Sequence, residues 1–178
     1  GAALEGLRAR QLPTDQISQV STRTAYPSPL GKYNVVLFDF GLKHSILREL
    51  DRRGCAVTVV PHDFTANRVR TLSPDGIMLS NGPGDPETAE AQIEVLRDVL
   101  RSGTPFFGIC FGNQLFGRAL GFDTYKLTYG HRGINQPVFD RTTGKVEVTT
   151  HNHGFAIKWP TSPVRTAEAV DTPYGRVL

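Results

Sequence analysis

The chain has 178 residues, a length typical of one domain with some attached linker. Its net charge of +3 comes from scattered Lys and Arg residues, which argues against nucleic-acid binding, and no apolar run reaches the roughly 18 residues that cross a membrane. The two cysteines, Cys55 and Cys110, lie in different sequence contexts and no secretory signal is visible, which predicts reduced thiols in a cytoplasmic protein.

Residues 1–32 carry no sustained hydrophobic period and are rich in Gly, Pro, Ser and Thr. The one element expected here is a short helix beginning near Thr14. We interpret this segment as a linker and the end of a preceding N-terminal domain, followed by a main domain over residues 33–178. The chain begins at Gly1 and ends at Leu178 within a predicted turn, so we expect the main domain to be incomplete at its C-terminus.

From residue 33 onward, short apolar runs alternate with segments of helical period. A continuous apolar run such as residues 35–38 is typical of a strand that is covered on both faces. Gly54 and Gly121 each follow a helical stripe and predict the end of a helix. The predicted strands span residues 35–38, 56–60, 76–80 and 104–109, and the predicted helical stripes span residues 46–50, 66–72, 87–102 and 113–120.

Strands that alternate with helices predict an α/β fold with an open, doubly wound, mostly parallel sheet. After residue 122 the pattern changes to three short β segments, at residues 123–127, 146–150 and 155–159. We expect these segments to form an antiparallel β extension. Ligands of such folds bind beyond the carboxyl ends of the strands, so functional residues are expected in the loops that follow them.

Cys110 directly follows the fourth predicted strand and lies between Gly108 and Gly112. Glycines at these positions leave room for a sharp strand-to-helix turn that exposes the central residue, as in the G-x-S-x-G elbow of hydrolases. The turn places the thiol at a helix N-terminus, which favours the thiolate, and aims the Phe111 N–H at an oxyanion. The alternative is a small buried cysteine in a tight turn, and core packing is the role we assign to Cys55.

A second loop, residues 81–86, follows the third predicted strand and contains Gly82 and Gly84. Glycines permit a close approach between the backbone and a ligand. If the third and fourth strands are neighbours, this loop lies beside Cys110 and donates a second oxyanion N–H. An ordinary turn rich in glycine and proline is the alternative.

The five histidines do not include an obvious catalytic base. A nucleophilic cysteine needs a base that is oriented by a third group, yet no histidine is followed two residues later by a carboxylate. His151 and His153 flank Asn152 after a predicted strand, and one of them either lines the pocket or belongs to a polar loop. His131 lies in a glycine-rich loop, and we expect no metal ligand among these residues.

Six segments share the pattern of a known family: residues 38–43 with 46–48, 79–86, 108–112 with Gln114, 129–133 with Asn135, Pro137 and Val138, and 152–155. Together they resemble the class I glutamine amidotransferase domain, and within it most closely the glutamine-hydrolysing small subunit of carbamoyl-phosphate synthetase. The glycine loop and the elbow are shared by many class I amidotransferases, whereas the first, fifth and last segments are more specific to the carbamoyl-phosphate branch. The resemblance covers about residues 33–160.

This resemblance implies a glutaminase mechanism. The Cys110 thiolate attacks the side-chain amide of glutamine, ammonia leaves, a glutamyl thioester forms, and water releases glutamate. The N–H groups of Gly82 and Phe111 would hold the oxyanion. The positions that match substrate contacts of the family are Gly82, Gly84, Phe111, Gln114, Asn152, Gly154 and Phe155.

The resemblance also implies a partner, a large ATP-using subunit that makes carbamoyl phosphate for arginine and pyrimidine synthesis. ATP and Mg²⁺ would bind there, with no cofactor in this chain. The family often has His directly after the elbow, where this sequence has Asn113, and we expect a modest effect on packing or reactivity. The base and orienting group of the family, a His and a Glu two residues apart, fall beyond Leu178, so we expect little glutaminase activity from these residues alone.

Two other interpretations stay open. Another class I amidotransferase, serving anthranilate or guanylate synthesis, would be expected to begin with a different first loop than residues 38–43. A catalytically incomplete fragment that only binds a partner is the non-enzymatic alternative. The intact Cys110 and Gln114 argue against degeneration of the parent protein.

Overall fold

The computed structural model describes residues 2–11, 13–28, 30–140, 142–158, 171–172 and 175–176. A bilayer-crossing helix is absent from this described part of the chain. The helices are α1 (Ala2–Arg8), α2 (Gln16–Val20), α3 (His44–Arg52), α4 (Ala66–Thr71), α5 (Glu90–Leu100) and α6 (Phe111–Ala119), with a 3₁₀ turn at Pro86–Thr88. The strands are β1 (Tyr26–Pro27), β2 (Tyr33–Asp39), β3 (Cys55–Pro61), β4 (Gly76–Leu79), β5 (Phe106–Gly108), β6 (Thr124–Asp140), β7 (Lys145–Ile157), β8 (Asp171–Thr172) and β9 (Gly175–Arg176).

The main sheet has the strand order β1-β3-β2-β4-β5. Strands β2 to β5 run parallel to one another, and β1 pairs with β3 in the antiparallel direction. The chain passes from β2 to β3 on one side and then to β4 on the other, so the carboxyl ends of β2 and β4 flank the switch point at which α/β folds bind ligands. The predicted α/β fold with a mostly parallel sheet is confirmed, as is the pairing of the third and fourth predicted strands.

Helices cover both faces of this sheet, because alternate residues of a buried strand point to opposite sides. Val36 and Phe38 of β2 belong to the larger core cluster, together with apolar side chains of α4, α5 and α6. Leu37 belongs to a second cluster, which packs against the apolar stripe of α3. Each such side chain contributes about 1.5–3 kcal/mol when it is fully buried. The sheet is therefore a rigid, doubly wound platform for the loops at its carboxyl edge.

Two glycines end helices as predicted. Gly54 follows α3 with a φ of 77°, and Gly121 follows α6 with a φ of 92°. Both angles lie in the left-handed region, which a residue without a Cβ enters at little cost. These local signals fixed both helix ends correctly.

The segment before β2 also contacts the sheet. Tyr26 of β1 lies opposite Val59 of β3, and Ile17 of α2 is buried in the larger core cluster. Helix α2 is the short helix expected near Thr14, whereas α1, whose residues are all exposed, was not predicted. The domain boundary at residue 33 stays a prediction.

Strands β6 and β7 form a separate two-stranded antiparallel sheet within the described residues. The antiparallel β extension is confirmed, but its division into three short segments is wrong, since residues 146–150 and 155–157 belong to one strand. The end of the third predicted segment, Trp159, lies outside the described residues. Strand β6 continues through glycine-rich sequence with register shifts between Lys126 and His131 and between Gly133 and Gln136. Gly130, within the first of these shifts, has a φ of 69°. Such bulges let a strand bend without ending it.

Candidate active site

Cys110 occupies a strained turn between a strand and a helix. Strand β5 ends at Gly108 and helix α6 begins at Phe111, and between them Cys110 has a φ of 54° and a ψ of −110°. A non-glycine residue in a sparsely populated conformation costs roughly 1–3 kcal/mol and persists only where its surroundings enforce it. The sharp turn predicted for an exposed nucleophile is present.

The flanking glycines are required by the space around this turn. A Cβ on Gly108 would lie 2.7 Å from the Asn113 nitrogen, and a Cβ on Gly112 would lie 2.5 Å from the Leu79 carbonyl oxygen. Real Cβ atoms do not approach backbone atoms so closely. The Gly112 N–H also donates to the Ser80 carbonyl at 3.1 Å. The elbow is thus pressed against the end of β4, and both glycines are needed for that contact.

A pocket of about 340 Å³ opens at Cys110, a size within the range of small-molecule sites. Its lining residues are Ile109, Cys110, Asn113, Gln114, Thr150, His151, Asn152, His153, Phe155, Ala156 and Ile157. Helix α6 and strand β7 therefore form opposite walls. Of the predicted site residues, Cys110, Gln114, Asn152 and Phe155 line this pocket, whereas Gly82, Gly84, Phe111 and Gly154 do not.

The Cys110 thiol is partly buried under strand β7 and donates to the Asn152 carbonyl, with an Sγ–O distance of 3.6 Å. Burial raises the pKa of this thiol above its ordinary value, while a hydrogen bond from the Phe111 N–H and the charge of Lys43 lower the pKa to a smaller extent. The expectation that the helix N-terminus makes Cys110 thiolate-prone is therefore wrong, because desolvation outweighs it. No imidazole or carboxylate of the described residues hydrogen-bonds the sulfur.

The loop after β4 lies beside the elbow, as the prediction of a second oxyanion donor requires. Leu79 pairs with Gly108 across the sheet. A Cβ on Gly82 would collide with the backbone of Phe40, and it would lie 2.9 Å from the Phe40 Cβ. The Gly82 N–H donates no hydrogen bond to another described residue, so it is free for a ligand. Its role as an oxyanion donor stays a prediction.

Side-chain hydrogen bonds lock this loop to the loop after β2. The buried Ser80 hydroxyl accepts from the Phe40 N–H at 2.9 Å and donates to the Asn81 carbonyl at 2.8 Å. The Asn81 side chain donates to the Gly41 carbonyl at 2.7 Å and accepts from the Lys43 N–H at 3.2 Å. The two loops at the switch point therefore form one unit, which holds Lys43 close enough to act on the thiol.

The other predicted substrate contacts have different surroundings. Gln114 is buried and donates to the Phe155 carbonyl at 2.7 Å, so its amide joins α6 to β7. Gly84 has a φ of 102° and faces Gln16 of α2 instead of the pocket. Gly154 lies in β7 beside the pocket wall. The structure thus gathers Gln114 and Phe155 at Cys110 and leaves Gly84 outside.

The second cysteine has the structural role that was expected. Cys55 is a partly buried free thiol at the start of β3 and packs against the cluster under α3. It lies outside the lining of the Cys110 pocket, so the two thiols provide a matched pair for reactivity measurements.

A cluster of three histidines beside this pocket was missed. The ring centroids of His131, His151 and His153 lie 4.9–5.8 Å apart. One local signal was present, since histidines two residues apart in a strand share a face. His131 joins them only through the register of the hairpin, and the sequence pattern does not predict that register.

Comparison with known proteins supplies an independent assignment. The family described as glutamine amidotransferase class-I matches residues 36–172. The chain is 54% identical over 151 residues to the carbamoyl phosphate synthase small chain of Streptococcus mutans, a match that covers 85% of this chain and 41% of that protein. It is 53% identical over 156 residues to the carbamoyl phosphate synthase pyrimidine-specific small chain of Bacillus subtilis, covering 88% of this chain and 43% of that protein.

A solved structure agrees on the fold. The crystal structure of a glutamine amidotransferase from Thermotoga maritima matches with a TM-score of 0.53 and 14% identity, over 72% of this chain and 64% of that one. The chain spans about two fifths of the length of the curated relatives it matches. The family match covers most of the sequence, and the chain belongs to the class-I glutamine amidotransferase family.

Proposed function

We propose that this chain is the glutamine-hydrolysing part of a carbamoyl phosphate synthase small chain. The observation that carries the proposal is its identity of 53% and 54% to small chains of that name, over 88% and 85% of the sequence. The strained elbow at Cys110 and the pocket at its thiol support the same activity. The two free cysteines fit a reducing compartment, so we place the protein in the cytoplasm.

In this proposal the Cys110 thiolate attacks the side-chain carbonyl carbon of glutamine. The new C–S bond pushes an electron pair onto oxygen, where the N–H groups of Phe111 and Gly82 stabilise it. Collapse expels the amide nitrogen as ammonia after it gains a proton, and a glutamyl thioester is left. Water then cleaves the C–S bond and yields glutamate and the free thiol.

The ammonia would be consumed by a large, ATP-using partner chain that forms carbamoyl phosphate for pyrimidine and arginine synthesis. ATP and Mg²⁺ belong to that partner in this scheme, and this chain supplies only the nitrogen. The name of the Bacillus subtilis relative, a pyrimidine-specific small chain, supports the pathway.

In this proposal Cys110 is the nucleophile and the N–H groups of Gly82 and Phe111 are the oxyanion donors. The Cys110 sulfur, however, meets a carbonyl oxygen instead of a base. Because burial raises the pKa of the thiol, attack at neutral pH needs a proton acceptor. General acid–base catalysis contributes about 10²–10⁴-fold. We therefore propose that these 178 residues alone turn glutamine over slowly.

Covalent labelling with a chloroketone analogue of L-glutamine tests the substrate. The thiolate displaces chloride, so the reaction needs the nucleophile and the pocket but no proton for a leaving amine. We expect peptide mass spectrometry to find the label on Cys110, with L-glutamine suppressing it and L-asparagine leaving it unchanged. Cys55 is the internal control and Cys110→Ser the matched variant. Equal labelling of both thiols, or labelling that glutamine does not suppress, would contradict the proposal.

The partner is tested separately by gel filtration with a purified carbamoyl phosphate synthase large chain. We expect the two chains to elute together. Separate elution would reject the partner while leaving the glutamine assignment to the labelling experiment.

A further inference from the structure

Three histidines converge on one face of the hairpin, and the glutaminase proposal uses none of them. His131 of β6 lies opposite His153 of β7, and His151 precedes His153 by two residues on the same strand. Residues two apart in a strand share a face, and directly opposite side chains begin about 4.5–5.5 Å apart. The register of the hairpin therefore directs all three imidazoles to one point.

Two of the three distances between their ring nitrogens match those of a metal site. The His153 Nε2 lies 3.3 Å from the His131 Nδ1 and 3.3 Å from the His151 Nδ1. All three nitrogens lie within 4.8 Å of one another. Zn–N bonds of about 2.0–2.1 Å in tetrahedral geometry separate neighbouring ligand nitrogens by about 3.3–3.4 Å. Two pairs already have this spacing, and His131, which belongs to the third pair, is exposed.

The hydrogen bonds of His153 fix its protonation. The His153 Nδ1 lies 2.8 Å from the Phe155 carbonyl oxygen, which only accepts, so this nitrogen carries the proton and Nε2 carries the lone pair. A ligating histidine typically donates its other N–H to a backbone carbonyl in this way. The one lone pair on the His153 Nε2 cannot accept well from N–H groups of both His131 and His151. A bound cation would instead be coordinated by one nitrogen lone pair from each of the three imidazoles.

We propose that His131, His151 and His153 bind a divalent transition metal, with Zn²⁺ the expected ion. Imidazole nitrogens suit zinc, and three protein ligands leave a fourth position open for water. Within the described residues the group contains no carboxylate, which argues against Mg²⁺ and Ca²⁺.

The metal would act on the thiol through the strand between its ligands. His151 and His153 line the Cys110 pocket, and the carbonyl of Asn152 between them accepts from the Cys110 thiol. Metal binding holds this part of β7 in one arrangement over the sulfur. We therefore expect Zn²⁺ to slow the alkylation of Cys110, and we expect this protection to require His131.

Zinc affinity is measured on the 178-residue chain without a polyhistidine tag, by competition with a chromophoric chelator. We expect one Zn²⁺ per chain and a loss of affinity of more than about 100-fold in His131→Ala, since even the hydrogen-bond partners of ligands are worth about 10–100-fold. His131 is exposed, so this variant should keep the fold, which circular dichroism checks. The matched control is His44→Ala on α3, which should bind zinc like the unmodified chain.

The absorption spectrum of bound Co²⁺ separates this site from binding by the thiol. Three imidazoles and water give visible d–d bands without a thiolate charge-transfer band, and Cys110→Ser should leave the spectrum unchanged. Equal zinc affinity of the unmodified chain and His131→Ala would overturn the proposal. A charge-transfer band that disappears in Cys110→Ser would overturn it as well. Labelling of Cys110 by the chloroketone needs no metal, so the failure of one proposal is distinguishable from that of the other.

Discussion

The parallel sheet and the antiparallel hairpin differ in what holds them in place. Phe38 and Leu79 of the sheet are almost completely buried between helices, whereas Tyr129 and Val148 of the hairpin are 89% and 71% exposed. The nucleophile stands on the sheet, and the strand that covers its sulfur belongs to the hairpin. One side of the candidate site is therefore fixed by a core, and the other depends on a strand ladder and its contacts with α6.

The strongest test of this comparison is the loss of an apolar side chain from each region. Leu96 of α5 is 1% exposed, so Leu96→Ala should lower the free energy of unfolding by about 2–5 kcal/mol. Val148→Ala on the hairpin should change it by less than about 0.5 kcal/mol, since the side chain is already in solvent. Urea denaturation followed by circular dichroism measures both. Similar losses of unfolding free energy in the two variants would show that the Val148 side chain is packed against other apolar groups instead of lying in solvent.

The contact between the elbow and β4 is tested by adding one methyl group. In Gly112→Ala the new Cβ would lie 2.5 Å from the Leu79 carbonyl oxygen, so we expect a loss of about 1–3 kcal/mol. Gly76→Ala is the matched control in β4, where the nearest atom to a new Cβ is 3.9 Å away. We also expect Gly112→Ala, and not Gly76→Ala, to lose selective labelling of Cys110. Equal stability of the two variants would mean that the elbow is not pressed against the strand.

A smaller effect is expected where the two regions meet. The buried Gln114 donates to the Phe155 carbonyl at 2.7 Å, and Gln114→Met keeps the length of the side chain but removes the donor. We expect about 1 kcal/mol less protection, or roughly fivefold faster hydrogen exchange, at the end of β7. Gln19→Met, at an exposed position of α2, is the control. Unchanged exchange in Gln114→Met would show that the ladder alone holds β7.

The same division explains which features the sequence could predict. The buried strands, the ends of α3 and α6 and the elbow all follow from signals within a few residues, such as the glycines on either side of Cys110. The hairpin depends on pairings between distant residues, and its glycine-rich sequence hides a strand that continues through bulges. The meeting of His131 with His153 depends on a register that no local pattern specifies.

The candidate site likewise has one part that local sequence predicts and one part that depends on the hairpin. The turn at Cys110 follows from local sequence, and the pairing of β4 with β5, which brings the loop after β4 to the elbow, follows from the order of neighbouring strands. The burial of the thiol under Asn152 could not be predicted, because that residue arrives from the far strand of the hairpin. The raised pKa of the thiol, which the local sequence did not predict, therefore has the same origin as the missed histidines.

The pH dependence of alkylation measures this burial directly. A raised pKa in the folded state means that less thiolate is present at pH 7–8 than in a free cysteine, so the iodoacetamide rate of Cys110 should keep rising beyond pH 9.0. Lys43→Ala removes a charge that lowers this pKa and should slow the reaction at pH 8 by less than about tenfold. The exposed Lys145, at the start of β7, provides the control variant Lys145→Ala. A rate that levels off below pH 9.0 would show that the N-terminus of α6 outweighs burial, and the cover supplied by the hairpin would then have little influence on the nucleophile.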